Sequence, residues 1–413
     1  MSNSLSFKSI TGQDAADAGR LGADLTTAAI LVVDDYSPGR ALVAAQLQAN
    51  GFHNIDLVED GSQALAAIRV RRPELIIADL LMPTMSGFDL CRQIRADPAT
   101  CEIPVLAQTA SVDPDLRARA FASGATDLFT KPYDQDELLC RVRILLQRGR
   151  LIDRLTEFQE MIAEDLRQAA AAQKALLPSE ARLEQLKAAC PLDLASLYEA
   201  SAGLGGDLWG IEALDERRVM IFNADFAGHG VSAALNTVRL HSFINSTPVR
   251  PASPAAMLEQ LNRFLCSVLP TGQYATMFCA VMDFAANTLQ YASAAAPPQL
   301  LRTGANRPFG IIEEPGFPLG VTREATFDDR LAAFEPGAML LLFSDALIET
   351  PPPPDAVFTA DSLRRFADTV PPESGPHVLC DRVLRHLFRH IREKPADDLT
   401  LIAAHHVMPE DAG

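Results

Sequence analysis

The chain has 413 residues, 48% hydrophobic and 22% charged, which is an ordinary composition for a globular protein of about two or three domains. The formal net charge is −17 and no block of Lys or Arg stands out, which argues against direct DNA binding through a basic face. Seven scattered cysteines without a CxxC pair indicate a reducing, cytoplasmic setting. We expect no signal peptide, and no apolar run approaches the roughly 20 residues that span a bilayer.

Residues 1–27 are small and polar, and we predict a flexible tail there. From residue 28 to 148, apolar strand-like runs alternate with helical patterns, which predicts a βαβ architecture with a parallel sheet. Four of these runs lead into reactive polar residues: Ile30–Val33 into Asp34 and Asp35, Leu75–Ala78 into Asp79, Pro104–Ala107 into Gln108 and Thr109, and Leu128–Thr130 into Lys131. Because ligands bind beyond the carboxyl ends of parallel strands, we expect these side chains to meet at one edge.

The chemistry of this set is that of a phosphorylation switch. Asp79 is the predicted phosphoacceptor, since a carboxylate can attack a phosphoryl donor when a cation screens the charges. Asp34 and Asp35 are predicted to hold Mg²⁺, which prefers oxygen ligands. Lys131 would place a positive charge against the phosphoryl oxygens. The Thr109 hydroxyl is predicted to move towards the new phosphoryl group, and this movement would be the signal.

The motifs that carry this pattern are Asp34-Asp35, Asp79 with Met82-Pro83 and Gly87, Thr109-Ala110, and Lys131-Pro132. Through them, residues 28–148 resemble the receiver domain of two-component response regulators. The resemblance implies a flavodoxin-like fold with five parallel strands, phosphorylation by a histidine kinase, the Leu81 carbonyl as a further metal ligand, and a cis Lys131–Pro132 bond. One departure concerns the switch aromatic, which the family has three residues before the lysine and which is Leu128 here. Phe129 is adjacent, but we expect it to face the other side of the strand.

A polar, uninterrupted helical stretch follows, from residue 147 to 177, and we expect Pro178 to end it. Residues 149–178 are the predicted linker. Its apolar residues recur every three or four positions: Leu151, Leu155, Phe158, Ile162, Leu166 and Ala169. This narrow stripe predicts a coiled-coil seam between two subunits, and the alternative is a helix lying on its own domain. In the first case, phosphorylation of Asp79 would change how two receivers pair, and the helix would transmit that change onward.

From residue 179 to 409 the pattern changes to strand pairs and longer helices, which predicts an α+β domain with a hairpin turn near Asn287. Four aspartates border apolar runs or glycines: Asp207, Asp225, Asp345 and Asp397. No run of Lys or Arg stands near them in the sequence, so burying them together would require a cation. Carboxylate ligands favour Mg²⁺ or Mn²⁺, and two such ions could activate water for attack on a phosphate ester.

A second set of motifs extends over residues 165–407. Its members are Gln173–Pro178, Gly205-Gly206-Asp207, Asp225 with Gly228-His229-Gly230, Ala275–Phe278, Pro318–Gly320, Ser344-Asp345, and Asp397–Thr400. Through these motifs the segment resembles the SpoIIE/RsbU-type branch of metal-dependent (PPM) serine/threonine phosphatases. The resemblance implies a β-sandwich flanked by helices and two Mn²⁺ or Mg²⁺ ions. Asp225 would bridge the ions with help from the Phe226 carbonyl, Asp345 and Asp397 would complete one shell, and Asp207 would bind the other ion.

The same resemblance implies a substrate class, phosphoserine or phosphothreonine on a regulatory protein such as an anti-sigma-factor antagonist in partner switching.

Two departures from the family motifs bear on activity. Ala346 stands where the family has glycine, and alanine would be strained there if the backbone requires a positive φ. Ala294-Ala295-Ala296 stands where many members have Ala-Gly-His.

Three competing interpretations accompany this one. The first is a phosphorylation-gated adaptor with the same fold and little or no catalysis, which binds a regulatory partner. The second is a diguanylate cyclase, suggested by Gly205-Gly206-Asp207, although the acidic residue that this chemistry needs does not follow. The third is a zinc site at His386 and His390, four residues apart on a helical pattern. A solvated helix face rich in arginine accounts for those histidines better.

Overall fold

The computed structural model of the chain describes residues 25–111, 113–201, 203–228, 230–246, 253–351, 356–391, 395 and 397–408. Nearly all of the tail predicted for residues 1–27 lies outside this part, as does His229. The chain divides into two compact units, the first Met1–Met161 and the second Ile162–Gly413. Among the described residues, no helix is both long and apolar enough to cross a membrane.

The first unit is built on a parallel sheet of five strands in the order β2-β1-β3-β4-β5, with helices between successive strands. Strands β1, β3 and β4 are almost completely buried, as expected of apolar strands covered on both faces. This confirms the flavodoxin-like fold. The elements are β1 (Ile30–Val33), α1 (Ser37–Ala49), β2 (Ile55–Val58), α2 (Gly61–Val70), β3 (Leu75–Asp79), α3 (Gly87–Ala96), β4 (Val105–Thr109), α4 (Pro114–Ala122), β5 (Asp127–Thr130) and α5 (Gln135–Lys174).

Helix α5 differs from the predicted linker helix at both ends. It begins at Gln135 rather than at residue 147, because the last helix of the first unit continues into the linker without a break. Leu138 and Val142 in its first turns are buried against the sheet. The helix ends at Lys174, four residues before Pro178. The prediction was wrong about the start because polar composition marks a change of environment, whereas helical backbone continues wherever no proline interrupts it.

The second unit contains two antiparallel sheets of five strands, in the orders β13-β10-β9-β8-β7 and β12-β11-β14-β15-β6. Its elements are α6 (Glu180–Ala189), β6 (Leu192–Glu199), β7 (Asp207–Ala213), β8 (Arg218–Phe226), α7 (Val231–Ser246), α8 (Pro254–Val268), β9 (Ala275–Asp283), β10 (Thr288–Ala294), β11 (Gln299–Arg302), β12 (Gly310–Ile312), β13 (Arg330–Ala333), β14 (Met339–Phe343), α9 (Ala346–Glu349), α10 (Ala360–Asp368), α11 (Gly375–His390) and β15 (Leu399–His406).

The two sheets pack face to face and helices cover their outer sides. Ile221 and Phe278 of one sheet share a buried cluster with Leu342 and Ile402 of the other. A second cluster joins the first sheet to α7 and α8, and a third joins the second sheet to α10 and α11. The helix-flanked sandwich is therefore as predicted. The β9–β10 hairpin is also confirmed, with Asn287 in its turn at φ 54°.

Candidate functional site

In the first unit, the carboxyl edge of the parallel sheet brings together three charged side chains that the sequence predicted there. Lys131 Nζ donates hydrogen bonds to Asp34 Oδ2 at 2.9 Å and to Asp79 Oδ2 at 2.7 Å. Burial lowers the pKa of Lys131, but its bonds to Asp79 and Asp34 outweigh burial and raise that pKa above its usual value. Lys131 therefore stays protonated and holds the two carboxylates together.

The other predicted residues of this site lie close by in the chain. Asp35 is exposed, next to the buried Asp34. The backbone N–H of Leu81 donates to Asp79 Oδ1 at 2.9 Å. Thr109 is buried and its hydroxyl oxygen accepts a bond from the N–H of Ser111 at 3.2 Å. The Lys131–Pro132 bond is cis, as the resemblance implied. Carboxylate and carbonyl oxygens fit Mg²⁺, although the roles of Asp35 and Leu81 as ligands stay predictions.

Gln108 also lies at this edge, where the sequence predicted its position but no partner for it. It lies directly opposite Asp79 on the neighbouring strand, and its Nε2 donates to Asp34 Oδ2 at 2.6 Å. The N–H of Tyr36 donates to Asp34 Oδ1 at 2.8 Å, so both oxygens of Asp34 are held. The position of Gln108 at a strand end was visible in the sequence. Its partner could not be read, because Asp34 is 74 residues away along the chain.

The switch aromatic is absent from its family position, as expected. Leu128 packs in the buried cluster on one face of the sheet, whereas Phe129 packs in the cluster on the opposite face. Phe129 also contacts the ring of Tyr133, with centroids 4.6 Å apart. The predicted opposite orientation of Phe129 is therefore confirmed, and this ring is fixed in the core rather than beside Thr109.

In the second unit, three of the four predicted aspartates have pKa values that are raised by burial and by the other aspartates. Asp207 and Asp225 are direct partners on β7 and β8. Burial, and then Asp225, raises the pKa of Asp207 well above its usual value. Burial, and then Asp345 and Asp397, raises the pKa of Asp225 to about 8. Burial, and then Asp397 and Glu349, raises the pKa of Asp345 to about 6. The main influences on all three carboxyl groups are thus burial and other carboxylates.

This donor set has the chemistry of a divalent-ion site. Asp207 is buried, Asp225 and Asp345 are half-buried, and Asp397 is exposed. Carboxylates that raise one another's pKa are costly to hold together unless a cation neutralises them, and oxygen donors select Mg²⁺ or Mn²⁺. Asp207, Asp225, Asp345 and Asp397 are the residues that would hold such ions. Within the described part of the chain, no three His, Cys, Asp or Glu side chains form a ready coordination group. The ligand role of each aspartate therefore stays a prediction.

Hydrogen bonds that the sequence did not predict hold the loop before β7. Asp398 accepts bonds from the N–H of Ser201 at 2.8 Å and from the N–H of Gly206 at 2.5 Å. Gln173 near the end of α5 is buried, donates to the Gly205 carbonyl at 2.6 Å and accepts from the Gly205 N–H at 3.1 Å. Both residues belong to motifs quoted above, but only the fold reveals what they contact.

The two departures from the family motifs have different structural outcomes. Asn287 and Ala295 are the residues other than glycine with positive φ in the described part of the chain, so the strain expected at Ala346 is not present. Ala346 instead begins α9. Ala295 has φ 54°, a conformation that alanine adopts only at a cost. The chain is therefore strained at Ala295, where many members of the resembled family have glycine.

The two histidines of α11, His386 and His390, contact each other and neighbouring aromatic rings. His390 Nδ1 lies 2.7 Å from the carbonyl oxygen of His386. The ring of His386 contacts Phe358 and Phe366, with centroids 5.1 and 4.7 Å away. His386 is thus packed against aromatic rings, a contact that the solvated-face interpretation did not include.

Comparison with known proteins gives two family matches. Residues 30–143 match the family described as response regulator receiver domain, and residues 215–407 match the family described as stage II sporulation protein E (SpoIIE). The DNA-binding regulator RpaA of Synechocystis sp. is 36% identical over 133 residues, which are 32% of this chain and 55% of RpaA. The phosphate regulon regulatory protein PhoB of Pseudomonas aeruginosa is 36% identical over 119 residues, 29% of this chain and 52% of PhoB. The chain thus spans about half the length of these two relatives.

Among solved structures, the SiaA-PP2C domain of Pseudomonas aeruginosa aligns with a TM-score of 0.50 and 21% identity, over 60% of this chain and 98% of that domain. At this level of identity the likeness concerns the fold alone.

Proposed function

We propose that the chain is a response regulator with a phosphatase output, because residues 30–143 match the response regulator receiver family and residues 215–407 match the SpoIIE family. A histidine kinase would phosphorylate Asp79. The output would be metal-dependent dephosphorylation of phosphoserine or phosphothreonine on a regulatory protein. The observation that carries the output is that burial and other carboxylates raise the pKa values of Asp207, Asp225 and Asp345.

At the receiver, the contacts support phosphoryl transfer to Asp79. An oxygen of the Asp79 carboxylate would form a bond to phosphorus while the phosphorus–nitrogen bond of the donor phosphohistidine breaks. Lys131 donates a hydrogen bond to Asp79 Oδ2. After phosphoryl transfer, its ammonium group would bind the phosphoryl oxygens instead. Mg²⁺ held by Asp34, Asp35 and the Leu81 carbonyl would screen the carboxylate and the donor from each other.

At the output site, two Mn²⁺ or Mg²⁺ ions would supply an activated water and neutralise a phosphate ester. Asp225 lies opposite Asp207, and Asp345 and Asp397 raise its pKa. These two observations support the proposal that Asp225 is the shared ligand. Asp398 holds the Gly206 backbone, which fixes the start of β7 and with it Asp207. These residues would hold the ions that bind the phosphorylated side chain, with the nucleophile coming from water rather than from the protein.

Helix α5 is the element proposed to couple the two sites. Its stripe side chains are exposed: Leu151, Leu155, Phe158, Ile162 and Leu166 are between 38% and 57% accessible. A second copy of the chain would cover them in a coiled-coil dimer. At the end of the same helix, Gln173 bonds the Gly205 backbone two residues before Asp207. A rotation of α5 would therefore move the loop before Asp207 through the Gln173 side chain. The coupling free energy between two such sites is typically about 1–3 kcal/mol.

The substrate proposed is a phosphoprotein, with an anti-sigma-factor antagonist in partner switching as the specific candidate. This follows from the resemblance to the SpoIIE/RsbU-type enzymes. We place the reaction in the cytoplasm, without direct contact with DNA or membranes, in agreement with the acidic composition and the seven free cysteines. The strained Ala295 keeps the adaptor as the second candidate, since it lies where the family has the glycine of Ala-Gly-His.

The test is hydrolysis of a phosphoserine protein by the full chain with Mn²⁺, with and without a small-molecule phosphodonor for the receiver. Asp225→Asn removes the proposed bridging carboxylate and should lower kcat/KM by at least about 100-fold. Asp79→Asn should retain the basal rate but no longer respond to the phosphodonor. Mass spectrometry of the intact chain reports whether the receiver takes up a phosphoryl group in each protein.

The outcomes separate the two candidates. Wild-type activity that depends on Mn²⁺ and is lost in Asp225→Asn supports the phosphatase. Equal inactivity of wild type and Asp225→Asn, together with phosphorylation of Asp79, would favour the adaptor. A receiver that is not phosphorylated, or whose phosphorylation leaves both rate and oligomeric state unchanged, would contradict the proposed coupling.

A further inference from the structure

A single side chain of β15 reaches across the sandwich to the carboxylate set. Thr400 Oγ1 donates a hydrogen bond to Asp207 Oδ2 at 2.5 Å. Strand β15 belongs to one sheet and β7, which begins at Asp207, belongs to the other. Thr400 is fully buried and Asp207 is 2% accessible, so water does not compete for this bond. The two residues are 193 positions apart in the chain.

We infer that Thr400 is a positioning residue that fixes the orientation of the Asp207 carboxylate for ion binding. The inference rests on the proposed metal-dependent function and concerns a residue to which that function assigns no role. The bond occupies Oδ2 of Asp207 and sets the rotation of the carboxylate about its side-chain axis.

Thr400 is itself held in place by its neighbours. Its N–H donates to Ser344 Oγ at 2.9 Å, and its carbonyl accepts from the Ser344 N–H at 3.0 Å. The Ser344 hydroxyl donates in turn to the Asp398 carbonyl at 2.8 Å. Ser344 precedes Asp345 and Asp398 follows Asp397, so this network joins the segments that carry three of the proposed ligands. A hydroxyl on such a fixed backbone can orient a carboxylate with little loss of entropy.

The physical cost of losing the hydroxyl is specific to the Asp207 side chain. A buried carboxylate oxygen without a donor is destabilised, so Asp207 would turn away from its present orientation, and this change opposes ion binding. The backbone around Asp207 does not depend on Thr400, because Asp398 and Gln173 separately hold Gly206 and Gly205. Removing the hydroxyl should therefore alter the ligand and leave the loop in place.

The test is a Mn²⁺ titration of the metal-free full chain, followed by the fluorescence of Trp209. This is the only tryptophan of the chain, it lies two residues after Asp207 on β7, and it reports the second unit alone. Thr400→Val keeps the shape but lacks the hydroxyl, and Thr400→Ala is a second variant without it. Both should raise the Mn²⁺ Kd by about 10–100-fold, the usual cost of losing a residue that orients a metal ligand. Thr400→Ser keeps the hydroxyl and should stay within about threefold of wild type.

Two further readouts distinguish positioning from a general structural role. In the variants without the hydroxyl, kcat should recover towards the wild-type value at saturating Mn²⁺, whereas a damaged fold would not respond. Thermal unfolding of the metal-free proteins reports the fold directly.

Unchanged Mn²⁺ affinity in both Thr400→Val and Thr400→Ala would overturn the inference while leaving the proposed phosphatase intact. Loss of the folded state in both variants would also overturn it, since the hydroxyl would then serve folding. A wild-type chain that binds Mn²⁺ nowhere near Trp209 would overturn the proposed metal site, and this inference with it.

Discussion

Gln173 and Gly205 are joined by two hydrogen bonds, one from the Gln173 amide to the Gly205 carbonyl and one from the Gly205 N–H to the Gln173 side-chain oxygen. The same amide also donates to Thr237 Oγ1 at 2.9 Å. Gln173 lies one residue before the end of α5, and Gly205 lies two residues before Asp207. One side chain therefore connects the long helix to the loop that carries a proposed metal ligand.

We predict that Gln173→Leu, which keeps the size but removes both bonds, lowers kcat/KM for a phosphoprotein by at least about tenfold. Two buried backbone groups of Gly205 would lose their partner, at a cost of about 1–3 kcal/mol each, and the loop would move to satisfy them. The matched control is Gln168→Leu, because Gln168 is exposed on the same helix and its amide donates to Glu164 at 3.1 Å. Equal rates in the two variants would exclude Gln173 as the connection.

Much of the fold could be predicted because its signals are local. Strands β1, β3 and β4 are short apolar runs that end in polar residues, and burial on both faces makes such runs conspicuous. Asp79 and Lys131 were found for the same reason, since each is the polar residue that ends or follows an apolar strand. The β9–β10 hairpin was also predictable, because Asn287 tolerates the positive φ that its turn requires.

What the sequence could not reveal is contact between distant segments. Gln108 and Thr400 each hold a proposed site residue through a side-chain hydrogen bond, over 74 and 193 positions. Gln173 holds Gly205, two residues before Asp207, over 32 positions. No periodicity or spacing encodes such a bond, because it depends on how strands and helices pack. The start of α5 was missed for a related reason, since composition changes near residue 147 while the backbone remains helical.

The exposed stripe of α5 leads to a prediction about oligomeric state. Leu155 is 52% accessible and lies within the stripe, so Leu155→Lys should place a charge in the proposed coiled-coil seam and convert a dimer into a monomer. Thr156→Lys adds the same charge one position away, outside the stripe, and should leave the dimer unchanged. Light scattering coupled to size-exclusion chromatography measures both masses. A monomeric wild type, or a dimer that survives Leu155→Lys, would contradict the coiled-coil dimer.

The positive φ of Ala295 leads to a prediction about stability. Glycine adopts this conformation freely, whereas for alanine it costs about 1–2 kcal/mol. Glycine also has the greater conformational entropy in the unfolded chain, and this offsets part of the gain. Ala295→Gly should therefore raise the free energy of unfolding of the second unit by about 1 kcal/mol. Ala292→Gly in the buried part of β10 is the control and should lower it. Urea unfolding followed by Trp209 fluorescence measures both, and a destabilised Ala295→Gly would show that the strain is not relieved by glycine.

His406 gives the second unit a dependence on pH that is separate from its carboxylates. The side chain is 3% accessible, its Nδ1 lies 2.8 Å from the Phe334 carbonyl oxygen, and its ring stacks on Phe334 at 5.7 Å. Burial lowers the pKa of His406, although bonds to the Phe334 and Glu335 backbones oppose the shift. The folded chain therefore holds this histidine neutral at pH values where the unfolded chain, with a histidine pKa near its usual 6.5, binds a proton.

Because the unfolded state binds more protons in this window, the stabilising contribution of neutral His406 is fully present above pH 6.5 and is lost as the pH falls below it. His406→Phe keeps an aromatic ring but cannot titrate, so its free energy of unfolding should fall less between pH 7 and pH 5 than that of wild type. The slope that the histidine can add is at most about 1.4 kcal/mol per pH unit. Urea unfolding of the metal-free chain at several pH values, followed by Trp209 fluorescence, measures the difference in slope. Identical slopes for wild type and His406→Phe would show that protonation of this ring does not distinguish the folded from the unfolded state.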